Sequence, residues 1–211
     1  MKFPTTGIIL ASGEGSRLKE QTKLLGVPKH LFPIGNSNIV NRLAQQFSLS
    51  CQEIICITSK EHQQIFQNNF KTLPFAVKVI SKEEPGFKGD FLATTNAQNH
   101  HIILTMGDLI FPDGEINSFV YQTQNNNKKN QAVICLDRQQ IKKIDLRIVM
   151  CSYPKTLLEK IIPLNPESLL SVGTAFLKNF FQGNVTLNLA TTLFNINTED
   201  SYHQANTFFQ K

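Results

Sequence analysis

The sequence has few cysteines, and none of the four falls in a C-x-x-C spacing. Cys51, Cys56, Cys135 and Cys151 stand apart, three of them in apolar strand-like runs. That pattern weighs against zinc and against disulfides, and reads as buried thiols. No apolar run reaches the roughly 20 residues that a membrane-spanning helix needs. The first residues do not read as a signal peptide either, so a cytoplasmic protein is expected. Basic runs are also missing: Lys and Arg number 21 against 16 Asp and Glu, a formal charge of +5, but the cations are scattered. Such an excess serves nucleotide phosphates as well as it serves nucleic acid, and no nucleic-acid-binding motif accompanies it. No internal repeat or linker divides the 211 residues, a length that favours one domain with a full core.

What is present is concentrated in residues 7–34, GIILASGEGSRLKEQTKLLGVPKHLFPI. Gly7 to Ala11 is a short apolar run ending in small residues and predicts a buried strand. It runs into Ser12-Gly13-Glu14-Gly15-Ser16, where two glycines let the backbone bend sharply and turn N–H groups toward an anion. Arg17 follows at once, and Lys29 comes after a polar loop and Pro28. A Walker loop is excluded, because Gly15 is followed by Ser16 and Arg17 rather than Lys. The dinucleotide fingerprint is excluded too, because Leu18 stands where its third glycine packs helix on strand. A polyphosphate-holding loop of another type remains.

Further along, Leu31 to Ile34 reads as a short extended piece closed by Gly35. Asn38 to Phe47 reads as a helix with Ile39, Leu43 and Phe47 on one face, capped by Asn36 or Ser37. Strands are expected at Glu53–Thr58 and Phe75–Ile80, with an amphipathic helix at Lys60–Phe70 between them. Strands alternating with helices imply right-handed crossovers and a mostly parallel sheet. Lys82 to Asp90 reads as a loop, with Asp90 either capping a helix over Phe91–Gln98 or touching a ligand. His101 to Met106 is a strand ending in Gly107-Asp108. A carboxylate emerging there lies in the crevice where open α/β sheets bind ligands, and it suits Mg²⁺. Asn125-Asn126-Asn127 reads as a polar loop. Later strands are expected at Ala132–Leu136, around Ile144–Val149, at Ser171–Leu177 and over Val185–Ile196. Lys155 and Lys160 could reach a phosphorylated acceptor. Thr198 caps a last helix with Glu199 and Asp200 in its first turn.

The run L-A-x-G-x-G-x-R-L followed by P-K-x-L, over Leu10 to Leu31, resembles the signature of the sugar-phosphate nucleotidyltransferase superfamily. So do Gly89-Asp90-Phe91-Leu92, Met106 to Phe111 and Asn195 to Asp200. Val172 to Phe176 resembles the family's threonine-glycine-aromatic strand with its order changed. Within the superfamily the chain is most similar to inositol-1-phosphate and phosphocholine cytidylyltransferases. The resemblance implies a single three-layer α/β/α domain over 1–211, a Rossmann-like glycosyltransferase-A-type fold with a mostly parallel mixed sheet. Residues 1–110 would be its nucleotide-binding half and 111–211 its acceptor-binding half.

The same resemblance implies the chemistry: a Mg²⁺-dependent cytidylyltransferase that moves a nucleotidyl group onto a small phosphorylated alcohol, polyol or sugar. Leu10, Ala11, Ser12 and Gly13 would hold base and ribose, with Gly89 and Asp90 also at the nucleotide. Gly13, Glu14, Gly15, Ser16 and Arg17 would cradle the β- and γ-phosphates. Lys29 would neutralise the α-phosphate, and Asp108 with Asn197 would hold the metal. The chain departs from the family at Asn195 and Asn197, where acids are usual, and Asn offers Mg²⁺ a carbonyl without charge. Asp90 stands where these cytidylyltransferases tend to have Asn, and Ser12 replaces a smaller residue. A molybdenum-cofactor-type guanylyltransferase and a nucleotide-binding homologue without catalysis remain the alternatives. The partners implied are a nucleoside triphosphate and the acceptor, with no nucleic acid and no membrane span; a homo-oligomer stays open.

Overall fold

The computed structural model describes residues 2–127, 131–138, 147–164, 167–168 and 185–210. Its strands are β1 Phe3–Leu10, β2 Pro33–Ile34, β3 Ser37–Asn38, β4 Cys51–Thr58, β5 Lys78–Ser81, β6 His101–Met106, β7 Leu109–Ile110, β8 Ala132–Asp137, β9 Ile148–Pro154, β10 Val185–Ala190 and β11 Phe194–Asn195. The α-helices are α1 Lys19–Leu25, α2 Ile39–Ser50, α3 Gln63–Phe70, α4 Gly86–Ala93, α5 Glu115–Asn127, α6 Leu158–Ile161 and α7 Glu199–Phe209.

Among the described residues a seven-stranded sheet has the order β10-β8-β9-β6-β1-β4-β5. The pairs β5–β4, β4–β1, β1–β6 and β8–β10 are parallel, and β9 alone runs against both of its neighbours. The mostly parallel mixed sheet expected from the sequence is what forms. Period-two alternation sends Ile9, Cys56 and Ile103 to one face and Ile8, Leu10, Ile55, Ile57, Ile102 and Leu104 to the other. Phe47, Phe66, Phe119 and Tyr202 from α2, α3, α5 and α7 cover the first face. Phe91, Leu158 and Ile161 from α4 and α6 cover the second, which gives the three layers. At Gly7 the Phe47 ring lies where a Cβ would sit, 2.5 Å from its nearest atom, so the missing side chain lets α2 settle on β1.

Several boundaries move for physical reasons. Helix α2 takes its cap from Asn38, whose side chain accepts from Asn41 N at 2.9 Å, rather than from Asn36 or Ser37. Helix α5 was not legible, and Asn125–Asn127 form its last residues instead of a loop. Ile116, Phe119, Val120 and Thr123 recur at helical spacing and are buried, and that burial outweighs the weak propensity of Asn. Helix α4 starts at Gly86 with Pro85 before it, so Asp90 lies inside the helix and is no cap. The strand expected at Phe75–Ile80 is β5 at Lys78–Ser81; of the strand expected around Ile144–Val149, residues 144–146 lie outside the described residues and β9 runs from Ile148. The extended run from Val185 breaks after Ala190, where Thr191 N donates to Glu115 Oε1 at 2.7 Å. The expected strand Ser171–Leu177, with Val172 to Phe176, lies outside the described residues.

Lys155 points away from the ligand end of the sheet. Pro154 pairs with His101 at the amino end of β6, and Lys155 Nζ donates to Ala97 O at 2.7 Å. The expected contact with an acceptor is therefore not made by this residue. All four cysteines are buried and free, and burial raises Cys51 to about 12. No helix among the described residues is long and apolar enough to cross a membrane.

Candidate active site

The chain runs outward from β1 to β4 and β5, then returns to place β6 on the other side of β1. The carboxyl ends of β1 and β6 therefore form the point where strand order reverses, the crevice that receives ligands in open α/β sheets. Gly107 N donates to Leu10 O at 2.7 Å and ties the two ends together. A cleft of about 710 Å³ opens above them. Its walls include Leu10, Ser12, Gly13, Glu14, Gly15 and Ser16 of the first loop, with Lys29, Asp90 and Asp108.

The loop geometry follows from its glycines. Gly15 adopts φ 64°, a left-handed conformation that favours glycine, and its carbonyl accepts from Leu18 N at 2.8 Å. Gly13 leaves open room: a Cβ there would meet nothing nearer than 3.9 Å. Arg17 is exposed and lines a small recess beside the cleft with Gly15, Ser16, Lys29 and Asn197. Two residues expected at the nucleotide, Ala11 and Gly89, are not among those lining this cleft. Ala11 is buried, its N–H continuing the sheet to Ile57 O at 2.8 Å. Gly89 lines a separate cleft of about 520 Å³ with Val79, Ser81 and Leu92.

Lys29 lies at the meeting point of chain segments far apart in sequence. Its ammonium donates to Asp108 Oδ2 at 2.7 Å and to Asn197 Oδ1 at 2.9 Å. Lys29 and Asp108 are each 7% exposed, so the pair is held largely out of water. Asn197 reaches it because β11 pairs antiparallel with β7, just after Asp108, and Ile196 N donates to Asp108 O at 2.8 Å. A capping box then fixes the turn: Thr198 Oγ1 accepts from Ser201 N at 3.2 Å, and Ser201 Oγ accepts from Thr198 N at 3.1 Å. The Asn197 amide NH₂ donates to Asn195 Oδ1, which turns the Asn197 carbonyl oxygen toward Lys29.

A second charged group closes the other wall, and the sequence reading missed it. Lys82 follows β5 directly and donates to Ser12 Oγ at 3.0 Å and Gly86 O at 3.1 Å, with Asp90 Oδ2 at 3.5 Å. Burial raises the Asp90 carboxyl above its usual range, against the opposing pull of Ser12 and Lys82. His30, also missed, lines the cleft beside Lys29; burial first and the Lys29 charge second lower it to about 3, so it is neutral. The signal for Lys82 was available: it leaves the carboxyl end of a parallel strand, as Asp108 does.

The donor chemistry suits a hard cation between Asp108 and Asn197, one carboxylate and one carbonyl oxygen directed at a common point that the Lys29 ammonium now fills. Mg²⁺ commonly takes one or two protein carboxylates and completes its shell with phosphate oxygens and water. Among the described residues no group of three or more His, Cys, Asp or Glu forms a metal cage.

A family model for nucleotidyl transferase matches residues 6–143 of the chain. The bifunctional protein GlmU of Methanococcus aeolicus is 27% identical over 142 residues, which cover 63% of this chain and 33% of that protein. The chain thus spans about a third of the length of this curated relative. A provisionally assigned glucose-1-phosphate thymidylyltransferase from Bacillus anthracis, solved with a sucrose, superposes with a TM-score of 0.79 at 22% identity, over 98% of this chain and 96% of that one. The inositol-1-phosphate CTP transferase of T. maritima gives a TM-score of 0.72 at 14% identity, over 100% and 98% of the two chains.

Proposed function

The chain belongs to the nucleotidyl transferase family, and we propose that it moves a nucleotidyl group, cytidylyl by preference, from a nucleoside triphosphate to a small phosphorylated alcohol, polyol or sugar. The observation that carries this reading is the placement of Lys29, between Asp108 and Asn197 and beside the Ser12–Ser16 loop, where the strand order reverses. Preference for CTP is supported by the sequence resemblance to cytidylyltransferases and by the fold shared with the inositol-1-phosphate CTP transferase.

In this reading the open backbone of Gly13 to Ser16 receives the β- and γ-phosphates, with Arg17 at the rim. Lys29 neutralises charge on the α-phosphate. A phosphate oxygen of the acceptor attacks the α-phosphorus in line; the bond from α-phosphorus to the bridging oxygen breaks, and pyrophosphate leaves with that electron pair. The attacker is already an anion, so no protein base is required. Catalysis is positioning and charge neutralisation, and losing one such cation costs about 3 kcal/mol of transition-state stabilisation. Asp108 and Asn197 would hold Mg²⁺, which when bound would supply charge neutralisation at the phosphates. Residues 1–110 supply the nucleotide wall and 111–211 the acceptor side, with Asn197 of the second half reaching back to Lys29.

The test is pyrophosphate release by purified protein with Mg²⁺, each of the four NTPs, and a panel of phosphorylated alcohols and sugars. Release with CTP and one acceptor is expected. GTP preference would favour guanylyl transfer, and triphosphate binding without release on any acceptor would favour a binding-only homologue.

A further inference from the structure

The oxygens that would hold a metal are already bonded to a cation of the protein itself. Lys29 Nζ lies 2.7 Å from Asp108 Oδ2 and 2.9 Å from Asn197 Oδ1, and it bonds no other residue among those described. A divalent ion seated against these oxygens on the side the ammonium occupies, at the roughly 2.0–2.1 Å that Mg²⁺ requires, would overlap the ammonium, which stands at 2.7 and 2.9 Å. We propose that Lys29 and the divalent cation are alternate occupants of one seat, so that the metal enters only as a metal–nucleoside triphosphate complex. This rests on the nucleotidyl-transfer reading and adds the form in which the substrate must arrive.

The charge of the seat makes the exchange obligatory. Asp108 supplies one negative charge, and Asn197 and Asn195 supply none. A carboxylate at position 197 would raise the seat to two negative charges, enough to hold an ammonium and a metal side by side. With Asn there, one charge balances one cation, and a second would meet uncompensated repulsion in a poorly solvated place. Lys29 is 7% exposed and cannot leave Asp108 without another anion to go to. Among the described residues its carboxylate partner is Asp108 alone. The α-phosphate is the anion that fits, and it arrives with its own cation. Free metal therefore meets a closed seat, whereas the complex brings both the incoming cation and the new home for the lysine.

Mn²⁺ is the probe, counted free and bound by electron paramagnetic resonance without nucleotide, so the readout is independent of activity. Wild type is expected to bind Mn²⁺ weakly and Lys29→Gln at least tenfold more tightly. The double variant Lys29→Gln/Asp108→Asn is expected to lose that gain. Asn197→Asp, which keeps the lysine, is expected to tighten Mn²⁺ binding as well, and Lys29→Met takes the place of Lys29→Gln if that variant does not fold. Equal Mn²⁺ affinity in wild type and in the variant without the lysine overturns the proposal. Calorimetric titration of wild type with Mg–CTP separates the two ideas: binding there alongside equal Mn²⁺ affinities removes the exchange and leaves the nucleotidyl reading intact. Absence of both triphosphate binding and pyrophosphate release removes both.

Discussion

Replacing His30 by Gln should flatten the acid limb of the stability profile. His30 is 2% exposed, and its Nδ1 has no hydrogen-bond partner among the described residues. Burial first, then the charges of Lys29 and His62, hold it near 3 against an ordinary 6.5, with Asp108 opposing. Between pH 6.5 and about 3 the unfolded chain therefore carries a proton that the folded chain refuses. Stability falls as pH falls through 6.5, by up to about 1.4 kcal/mol per pH unit, and this contribution stops changing below about 3. From pH 7.5 to 4.5 the loss attributable to His30 is about 2.7 kcal/mol. Urea unfolding of wild type and His30→Gln at pH 7.5 and 4.5 measures it directly. The gap between the two proteins should shift by about 2 to 3 kcal/mol in favour of the variant at the lower pH, at unchanged denaturant slope. His101, lowered to about 4 by burial, adds acid sensitivity to both proteins and cancels in the difference. Asp90 cancels as well, with opposite sign, because a carboxyl raised in the folded state favours folding as pH falls. A gap that does not move with pH would refute the argument.

Gly7→Ala should cost about 1 to 3 kcal/mol in urea unfolding, because its Cβ would lie 2.5 Å from the Phe47 ring. Phe47→Leu in the same chain should return part of that loss. Lys82→Met should destabilise by about 1 to 3 kcal/mol, since it leaves the Asp90 side chain, 9% exposed, without its cation. Adding Asp90→Asn should recover stability in the same unfolding assay, while calorimetry should show weaker triphosphate binding in both variants because the Ser12 tie is lost.

The features legible in the sequence were those carried by neighbouring residues. The apolar run into Gly13 and Gly15 announces a strand and a sharply bending loop, and both form; His101–Met106 forms as expected because its six residues need only one another to declare a buried strand. Asp108 was found by a rule about strand ends, which applied equally to Lys82 once β5 was placed at Lys78–Ser81. What escaped depends on partners distant in sequence. The Asn125–Asn127 end of α5 belongs to a helix held by packing against α2, and nothing local in Asn-Asn-Asn announces that. The cap at Asp90 failed for a related reason: α4 begins four residues earlier, and Asp90 turns to Lys82 on another element. That Asn197 would meet Lys29 rests on the pairing of β11 with β7, two short strands with no periodicity to read.

The link from Lys29 to Asn197 joins positions 168 apart and sets an order of events during synthesis. Chains emerge amino end first, at about 5 to 20 residues per second. The glycine loop and Lys29 are thus made on the order of ten to thirty seconds before Asn197 exists. Asp108 appears about midway and can pair with the lysine early, so the emerging chain holds a neutralised half-site. The second oxygen, and the capped helix α7 that steadies it, come later still. On the proposed reading, a ribosome-bound chain with its glycine loop in place would still lack the oxygen that completes the cation seat, and turnover would begin only after α7 has docked.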